Sequence, residues 1–501
     1  MADKLSVKVR MYRQGLGDCF LLMFERGATT FNMLVDCGIF YLTKNGAKIM
    51  KQVAEDIKIA TAGHVDAVVL THDHYDHTSG FQLAKDVFKE DDFVFNEVWV
   101  GWTEDENHPK YQAIRDHFSS ILKGLRLALN GDLKMADPSL RGTINSLTNE
   151  FFGVDGSATA ASDGALGAKG ASKIWEYLLT EKAENVRCFT PGALFELEGF
   201  GVRIYVLGPP EDFDVIESEE PTEEESYRHA LRMSLAGSFL AAATPNDDST
   251  FDTNAYMPFG ESYNIPEKKA EGLPFFAENY GSGKKDKWRR IDTDWLATAG
   301  ELALWMDDFT NNTCLALAIE LIDSGKVLIF PGDAQFGNLM SWKKLSWQVS
   351  DSNGGTREVK AAELLAKTVL YKVGHHGSHN ATLKKSGLEL MNKPERDLVA
   401  LIPTNREFAK GQGPEGSGGW KMPEDKLLER LEQKAKGRVI LADEAGTSTK
   451  RKKPLEDRCK RLGLSVAKTK KFLNRVEFGG EFSRVTGDPK EPLYVQYTIE
   501  G

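Results

Sequence analysis

The sequence predicts a large α/β protein, and three patterns support this fold class. Residues 5–11 alternate between apolar and polar side chains, which is typical of a half-buried strand. Short apolar runs recur along the chain, and several of them end in loops that carry His or Asp. Apolar residues between 114 and 125, and again over 424–436, fall at helical spacing. We therefore expect function in the loops at the strand ends.

The strands occupy most of the chain outside two long segments. We expect strands at 19–24, 32–35, 67–70, 93–100, 186–189, 193–197, 202–207, 314–322, 327–330, 369–373, 398–402 and 439–442. Residues 105–185 are helical in pattern with a Gly- and Ala-rich loop, and residues 213–305 are rich in Gly, Asn and Pro. An acidic run over 211–225 is more typical of a solvated surface than of a binding site.

Length and composition restrict the class of protein. The chain has 501 residues, 41% of them hydrophobic, which allows one large domain with insertions or two domains. Its net charge of −11 argues against a surface that binds nucleic acid throughout, although it leaves room for a local basic groove. We see no signal peptide and no apolar run of about 18 residues, so we expect no membrane association. The five scattered cysteines predict reduced thiols and a cytoplasmic location.

The segment 71–80, Thr-His-Asp-His-Tyr-Asp-His-Thr-Ser-Gly, directly follows an apolar strand. Three imidazoles and two carboxylates lie within six residues, and such donors suit zinc and also manganese or iron. His72 and His74 can point to one side, while the turn directs Asp76 and His77 toward a second ion. The segment therefore predicts a metal site.

This segment resembles the second motif of the metallo-β-lactamase-fold hydrolases. Further motifs follow in the order of that superfamily: Asp36 within 34–38, Asp333 at the end of 328–333, and the His375-His376 pair within 373–378. The resemblance implies a four-layer αββα sandwich of two mixed sheets, with large insertions and with the active site at one edge. It also implies a metal-dependent hydrolase.

Finer details resemble the hydrolase domain of the DNA-uptake channel protein ComEC/Rec2 and its soluble relatives. These are the Gly-x-Gly-Asp of 15–18, the Gly-Asp-Ala of 332–334, the His-His-Gly-Ser of 375–378 and a late helix and strand within 423–442. We accordingly predict a hydrolase domain over 1–449, with insertions at about 103–185 and 213–305, and a basic C-terminal extension over 450–501.

One departure from the superfamily concerns a metal ligand. Many members carry a third His after the strand that corresponds to 202–207, whereas here Gly-Pro-Pro follows it. By resemblance to the branch, Asp36 completes the first metal site. The alternatives are His108, His117 and His229.

The resulting hypothesis has two divalent ions, Zn or Mn. The first ion takes His72, His74 and Asp36, and the second takes Asp76, His77 and either His375 or His376, with His376 favoured. Asp333 bridges the two ions. Asp76 and Asp333 can also accept the proton of the attacking water. His379, or whichever of His375 and His376 does not bind metal, is expected to protonate the leaving group.

The branch resemblance favours a phosphodiesterase or nuclease. Residues 450–475 carry eleven Lys or Arg against two acidic residues, a local charge of +9 that could steer nucleic acid or another phosphodiester, or could simply be solvated. The rival functions are hydrolysis of a lactone, thioester or amide, and a non-catalytic scaffold. The insertions could also dock a partner protein.

Overall fold

The computed structural model describes twelve parts of the chain: residues 3–116, 173–217, 265, 269–270, 272–280, 306–350, 355–391, 393, 397–412, 419–444, 450–483 and 490–501. Much of the two predicted insertions lies outside these residues. So do two of the alternative ligands, His117 and His229.

The first sheet has eight strands in the order β16-β17-β1-β2-β3-β4-β5-β6. Its strands are β1 (Ser6–Tyr12), β2 (Cys19–Arg26), β3 (Thr29–Cys37), β4 (His64–Val69), β5 (Val94–Gly101), β6 (Ala183–Phe189), β16 (Val476–Gly479) and β17 (Tyr494–Glu500). Strands β3 to β6 are parallel, and the others pair antiparallel.

The second sheet has seven strands in the order β15-β14-β13-β10-β9-β8-β7. They are β7 (Leu194–Leu197), β8 (Val202–Gly208), β9 (Ala316–Leu321), β10 (Lys326–Phe330), β13 (Thr368–Lys372), β14 (Val399–Ile402) and β15 (Val439–Leu441). Strands β10, β13, β14 and β15 are parallel. A separate hairpin pairs β11 (Ser346–Ser350) with β12 (Thr356–Lys360).

Most of the helices connect two parallel strands, or connect a strand of one sheet to a strand of the other. They are α1 (Gly46–Ala60), α2 (Tyr75–Leu83), α3 (Lys85–Phe88), α4 (Lys173–Glu176), α5 (Phe213–Ile216), α6 (Pro274–Tyr280), α7 (Phe336–Ser341), α8 (Ala361–Ala366), α9 (Arg406–Lys410), α10 (Asp425–Ala435), α11 (Lys453–Arg461) and α12 (Val466–Asn474). Residues 306–312 are also helical. None of the helices among the described residues has the length and apolarity needed to cross a bilayer.

Side-chain alternation builds the layers. On β2, Phe20, Leu22 and Phe24 point into the core between the two sheets, whereas Leu21 and Met23 point toward α1. A third apolar cluster packs the outer face of the second sheet against α7, α8 and α10. The order of layers is therefore helix, sheet, sheet, helix, which confirms the predicted αββα sandwich.

The segment predicted as a basic extension completes the first sheet. Strand β17 pairs antiparallel with β1 along its whole length, from Ser6 opposite Glu500 to Tyr12 opposite Tyr494. Helices α11 and α12 add apolar side chains to the core between the sheets. The sequence analysis did not predict these strands.

The parallel strands place the site. Because parallel strands end at the same edge, the loops after β3 and β4 in one sheet meet the loops after β10 and β13 in the other. All four predicted motifs lie in or beside these loops.

Candidate metal centre

Four buried side chains form a compact cluster at this edge. One donor atom from each of Asp76, His77, Asp333 and His376 lies within 4.8 Å of the others. Nε2 of His376 is 3.0 Å from Oδ2 of Asp76, and Nε2 of His77 is 3.1 Å from Oδ2 of Asp333. The structure therefore brings together residues that are 300 positions apart in sequence.

Two further histidines lie directly beside this cluster. The ring centroid of His72 is 4.2 Å from that of His77 and 4.4 Å from that of His74. His72 and His74 are 3% and 4% exposed, and Nε2 of His72 has no hydrogen-bond partner among the described residues. A buried ring nitrogen without a partner is costly unless something unseen binds it.

Asp36 orients two of the histidines. Its Oδ2 accepts hydrogen bonds from Nδ1 of His77 at 2.8 Å and from Oγ1 of Thr71 at 2.7 Å. The single hydroxyl proton of Thr71 is thereby used, so Oγ1 accepts from Nδ1 of His72, 3.1 Å away. Both imidazoles then carry their proton on Nδ1 and present Nε2 as a lone-pair donor.

The same contacts bear on the predicted role of Asp36 as a ligand. His77 separates Asp36 from Asp333, with Nδ1 toward Asp36 and Nε2 toward Asp333. Asp36, Asp18 and His77 form a second buried group of possible donors. The ligand role of Asp36 remains a prediction, and the hydrogen bonds that the structure contains are those of an orienting residue.

His376 and His375 occupy different environments. Nδ1 of His376 donates to the carbonyl of Pro403 at 2.7 Å, which leaves Nε2 to face Asp76. His375 is half-buried and lies outside the compact cluster, with Nδ1 3.1 Å from the amide nitrogen of Gln335. This geometry supports His376 as the ligand of the pair. His379 is exposed and forms no hydrogen bond to the cluster among the described residues.

A buried lysine holds one side of Asp333. Nζ of Lys372 donates to Oδ1 of Asp333 at 2.9 Å and to the carbonyl of Gly332 at 2.7 Å, and it pairs with Asp18. The backbone N–H of His375 also donates to Oδ1 of Asp333, at 3.0 Å. Only Oδ2 of Asp333 therefore faces the histidines.

The loops that carry these residues adopt unusual backbone conformations. Asp36, His375 and His376 have positive φ angles of 53°, 43° and 52°. Non-glycine residues in this region are uncommon, and their clustering is typical of functional sites. Gly38 allows the first loop to reach the second, since a Cβ there would lie 2.1 Å from the carbonyl of Asp76.

Burial keeps three histidines neutral. It lowers the pKa of His72 well below the usual value, and it lowers the pKa of His74 to about 3 and that of His375 to about 4. A neutral imidazole is the form that binds a metal.

Carboxylates have the opposite effect on the other two histidines. Burial alone would lower the pKa of His77, but Asp333 and Asp76 raise it well above the usual value. Burial likewise opposes protonation of His376, and the same two carboxylates raise its pKa. Without an ion, protons on His77 and His376 balance the buried negative charge.

Sequence reasoning missed two charged residues. Lys372 is the one charged side chain in the apolar run 369–373, which was a usable signal. Asp307, in the helical residues 306–312, has Oδ1 3.8 Å from Nε2 of His74. Burial raises the pKa of Asp307, and the carboxylate of its neighbour Asp308 raises it further.

The alternative ligand His108 lies elsewhere. Its Nε2 is 2.8 Å from Oε1 of Glu211, and its ring packs on Trp102. Its pairing with Glu211 occupies the nitrogen that would otherwise bind an ion.

The residues present fit a divalent metal ion. The compact cluster supplies carboxylate oxygens and imidazole nitrogens, the donors that such ions take in proteins. Ligating His usually donates its other N–H to a carboxylate or carbonyl, as His77 does to Asp36 and His376 does to Pro403.

The comparisons with known proteins agree with this geometry. Residues 14–155, which contain Asp36 and the 71–80 segment, match the sequence model described as the Metallo-beta-lactamase superfamily. No curated protein matches the chain. The resemblance to the ComEC/Rec2 branch stays a prediction. The superfamily that residues 14–155 match is hydrolytic and usually binds divalent metals, which agrees with the cluster of buried donors.

Proposed function

We propose that this protein is a hydrolase with two divalent metal ions that cleaves phosphodiester bonds. One observation carries the proposal: the compact cluster of Asp76, His77, Asp333 and His376 adjoins a second pair of buried imidazoles, His72 and His74. Two donor sets side by side match the arrangement of two-metal hydrolases.

The ions would supply a water nucleophile at neutral pH and would stabilise the charge that develops on the substrate oxygens. Asp333 would contribute Oδ2 alone to them, because Lys372 and the His375 amide hold Oδ1. Asp76 belongs to the compact cluster and contacts His376. From there it would accept the proton of the attacking water.

His375 would act on the substrate. Its low pKa keeps the ring neutral at pH 7, and the contact of Nδ1 with Gln335 leaves the ring proton on Nε2. Such a ring donates a hydrogen bond to a substrate oxygen. We favour His375 as the acid for the leaving group, and the same role for His379, at the exposed end of that loop, stays a prediction.

Phosphodiester specificity rests on the branch resemblance and on the two-metal geometry. The basic residues of 450–475 support this specificity less than their net charge of +9 indicated. Six of its eleven basic residues form ion pairs with acidic side chains of the described structure; they are Arg451, Lys453, Arg458, Arg461, Lys468 and Arg475. The field available to a polyanion is reduced accordingly.

The substrate class can be tested with chromogenic compounds. Protein stripped of metal and reloaded with Mn²⁺ or Zn²⁺ should release p-nitrophenol from bis-p-nitrophenyl phosphate and not from carboxyl esters. The Asp76→Ala variant should be inactive and should keep its fold. Turnover of carboxyl esters alone would contradict the phosphodiesterase proposal while leaving a metallohydrolase.

Nuclease activity needs a separate experiment. Labelled single- and double-stranded DNA and RNA would be incubated with wild type and with Asp76→Ala in Mn²⁺, Zn²⁺ and Mg²⁺. Degradation by wild type only is the expected result. Survival of all four nucleic acids under all three ions would exclude a nuclease and would leave smaller phosphodiesters as substrates.

A further inference from the structure

We infer that Asp307 is the third protein ligand of the first metal ion, together with His72 and His74. The inference rests on the proposed two-metal site, and it fills the position that the strand ending in Gly208-Pro209 leaves without a histidine.

Distance and burial carry the assignment. Oδ1 of Asp307 is 3.8 Å from Nε2 of His74, and the carboxylate side chain is 16% exposed. Two ligands bound to one tetrahedral ion at about 2.0–2.2 Å lie about 3.4 Å apart, so only a small movement closes the site. Nε2 of His72 is buried, has no hydrogen-bond partner among the described residues, and belongs to a ring that contacts His74.

The contacts of Asp307 agree with this assignment. No Lys or Arg of the described residues forms an ion pair with Asp307, and a further contact of its carboxylate is a 3.4 Å hydrogen bond from the amide of Asn311 to Oδ2. A divalent cation between Asp307 and His74 would supply a positive partner for this buried carboxylate.

The fold holds Asp307 in place beside the histidine loop. The helical residues 306–312 lead into β9, and the N–H of Leu315 donates to the carbonyl of Thr71 at 2.8 Å. Asn312 is fixed through its side-chain oxygen, which accepts from the N–H of Asn338 at 3.0 Å. Hydrogen bonds therefore tie this segment to the loop after β4 and to helix α7.

Among the described residues, the other alternative ligands are engaged. Asp36 accepts from Thr71 and His77, and His108 pairs with Glu211. Asp308 accepts a 3.4 Å hydrogen bond from Asn380, on the loop that follows His376. Asp307 is the carboxylate of the described residues that forms an ion-pair contact with His74.

The test is metal binding rather than activity. Chelator-treated wild type, Asp307→Asn and the matched control Asp308→Asn would be titrated with Mn²⁺ by calorimetry, and bound metal would be counted by mass spectrometry after dialysis. We expect two ions in wild type and in Asp308→Asn. Asp307→Asn should retain one ion after dialysis. Calorimetry should find its first site at least about tenfold weaker for Mn²⁺ and the affinity of its second site unchanged.

Two further readouts separate a lost ligand from a lost fold. The melting temperature in chelator should be no lower for Asp307→Asn than for wild type, because Asn has the size of Asp and the substitution breaks no ion pair with a Lys or Arg of the described residues. The electron paramagnetic resonance spectrum should change from that of a coupled Mn²⁺ pair to the six lines of a single ion. Two ions in Asp307→Asn at wild-type affinity would overturn the assignment alone, whereas fewer than two in wild type would overturn the two-metal proposal with it.

Discussion

The two halves of the proposed metal centre differ in how closely their donor atoms approach one another. In the half formed by Asp76, His77, Asp333 and His376, nitrogens and oxygens contact one another at 3.0 to 3.7 Å. In the half formed by His72, His74 and Asp307, the ion-pair contact of the described residues is 3.8 Å, between His74 and Asp307. Histidine–carboxylate pairs therefore hold the first half more closely together than the second.

The difference follows from where the protons are. The carboxylates raise the pKa of His77 and His376, whereas burial lowers the pKa of His72 and His74. The histidines of the first half must release protons to bind an ion, whereas those of the second half are already neutral. The predictions below test this contrast, from the largest expected effect to the smallest.

Replacing Asp333 by Asn should be the most damaging change. It removes the carboxylate that is proposed to bridge the two ions, and the loss of several kcal/mol of charge stabilisation corresponds to about a thousandfold in kcat. Steady-state kinetics with saturating Mn²⁺ would measure it. A variant within tenfold of wild type would mean that Asp333 does not serve the reaction.

Replacing Lys372 by Met should cost stability. The ammonium is 1% exposed and pairs with Asp333 and Asp18, and removing one partner of a buried pair costs about 3–5 kcal/mol. Urea unfolding in chelator would measure this loss, which Mn²⁺ should partly restore.

Lys367 offers the matched control for that experiment. Lys367 directly precedes β13, and its ammonium pairs with Glu320 at 3.2 Å, outside the proposed metal centre. Lys367→Met should lose stability that Mn²⁺ does not restore. Equal rescue of both variants would show that the effect of Mn²⁺ on Lys372→Met is unspecific.

Replacing Asp36 by Asn should weaken metal binding without abolishing it. The substitution disturbs the hydrogen bonds that orient His77 directly and His72 through Thr71, and such changes cost about 10–100-fold in metal affinity. Asp66→Asn is the control, since Asp66 also accepts a backbone N–H and lies near a histidine, His64, outside the site. An Asp36 variant with wild-type affinity would contradict the orienting role.

The pH dependence of metal binding should distinguish the halves. The pKa of His74 is about 3 in the folded protein, so its ring is already neutral between pH 6 and 8 and binding there releases no proton from it. His77 and His376 have raised pKa values, so an ion in their half displaces protons and binds more tightly as pH rises. Calorimetry in buffers of different ionisation enthalpy should find unequal proton release by the two ions, with more from the ion bound by His77 and His376.

The free energy of unfolding of the metal-free protein should also depend on the neutral ring of His74. The pKa of His74 falls from about 6.5 in the unfolded chain to about 3 in the folded one. The unfolded state therefore takes up a proton first, and metal-free protein should lose stability as pH falls from about 6.5 toward 3. His74→Gln should flatten this part of the curve in urea unfolding, and an unchanged slope would contradict the buried neutral ring.

Replacing His379 by Ala should have the smallest effect. The side chain is exposed and outside both halves, and surface substitutions usually change free energies by about 0.5 kcal/mol or less, about twofold in rate. A much larger fall in kcat with an unchanged metal content would identify His379 as the acid for the leaving group.

The sequence was sufficient for the parts of the site that lie in local motifs. His72, His74, Asp76 and His77 follow one strand within six residues, and the alternation of β1 was visible in the side chains of residues 5–11. Strand β17 was not predicted, because its charged surroundings masked the pattern and its partner β1 is at the other end of the chain. Asp307 and Lys372 were missed because their roles depend on contacts across the fold.

An X-ray measurement of the anomalous signal from Mn²⁺ in crystals of the protein tests the central claim most directly. Two peaks are predicted on either side of Oδ2 of Asp333, one bound by Asp76, His77 and His376 and the other by His72, His74 and Asp307. Strong Mn²⁺ peaks elsewhere, with none between these side chains at saturating metal, would contradict the account.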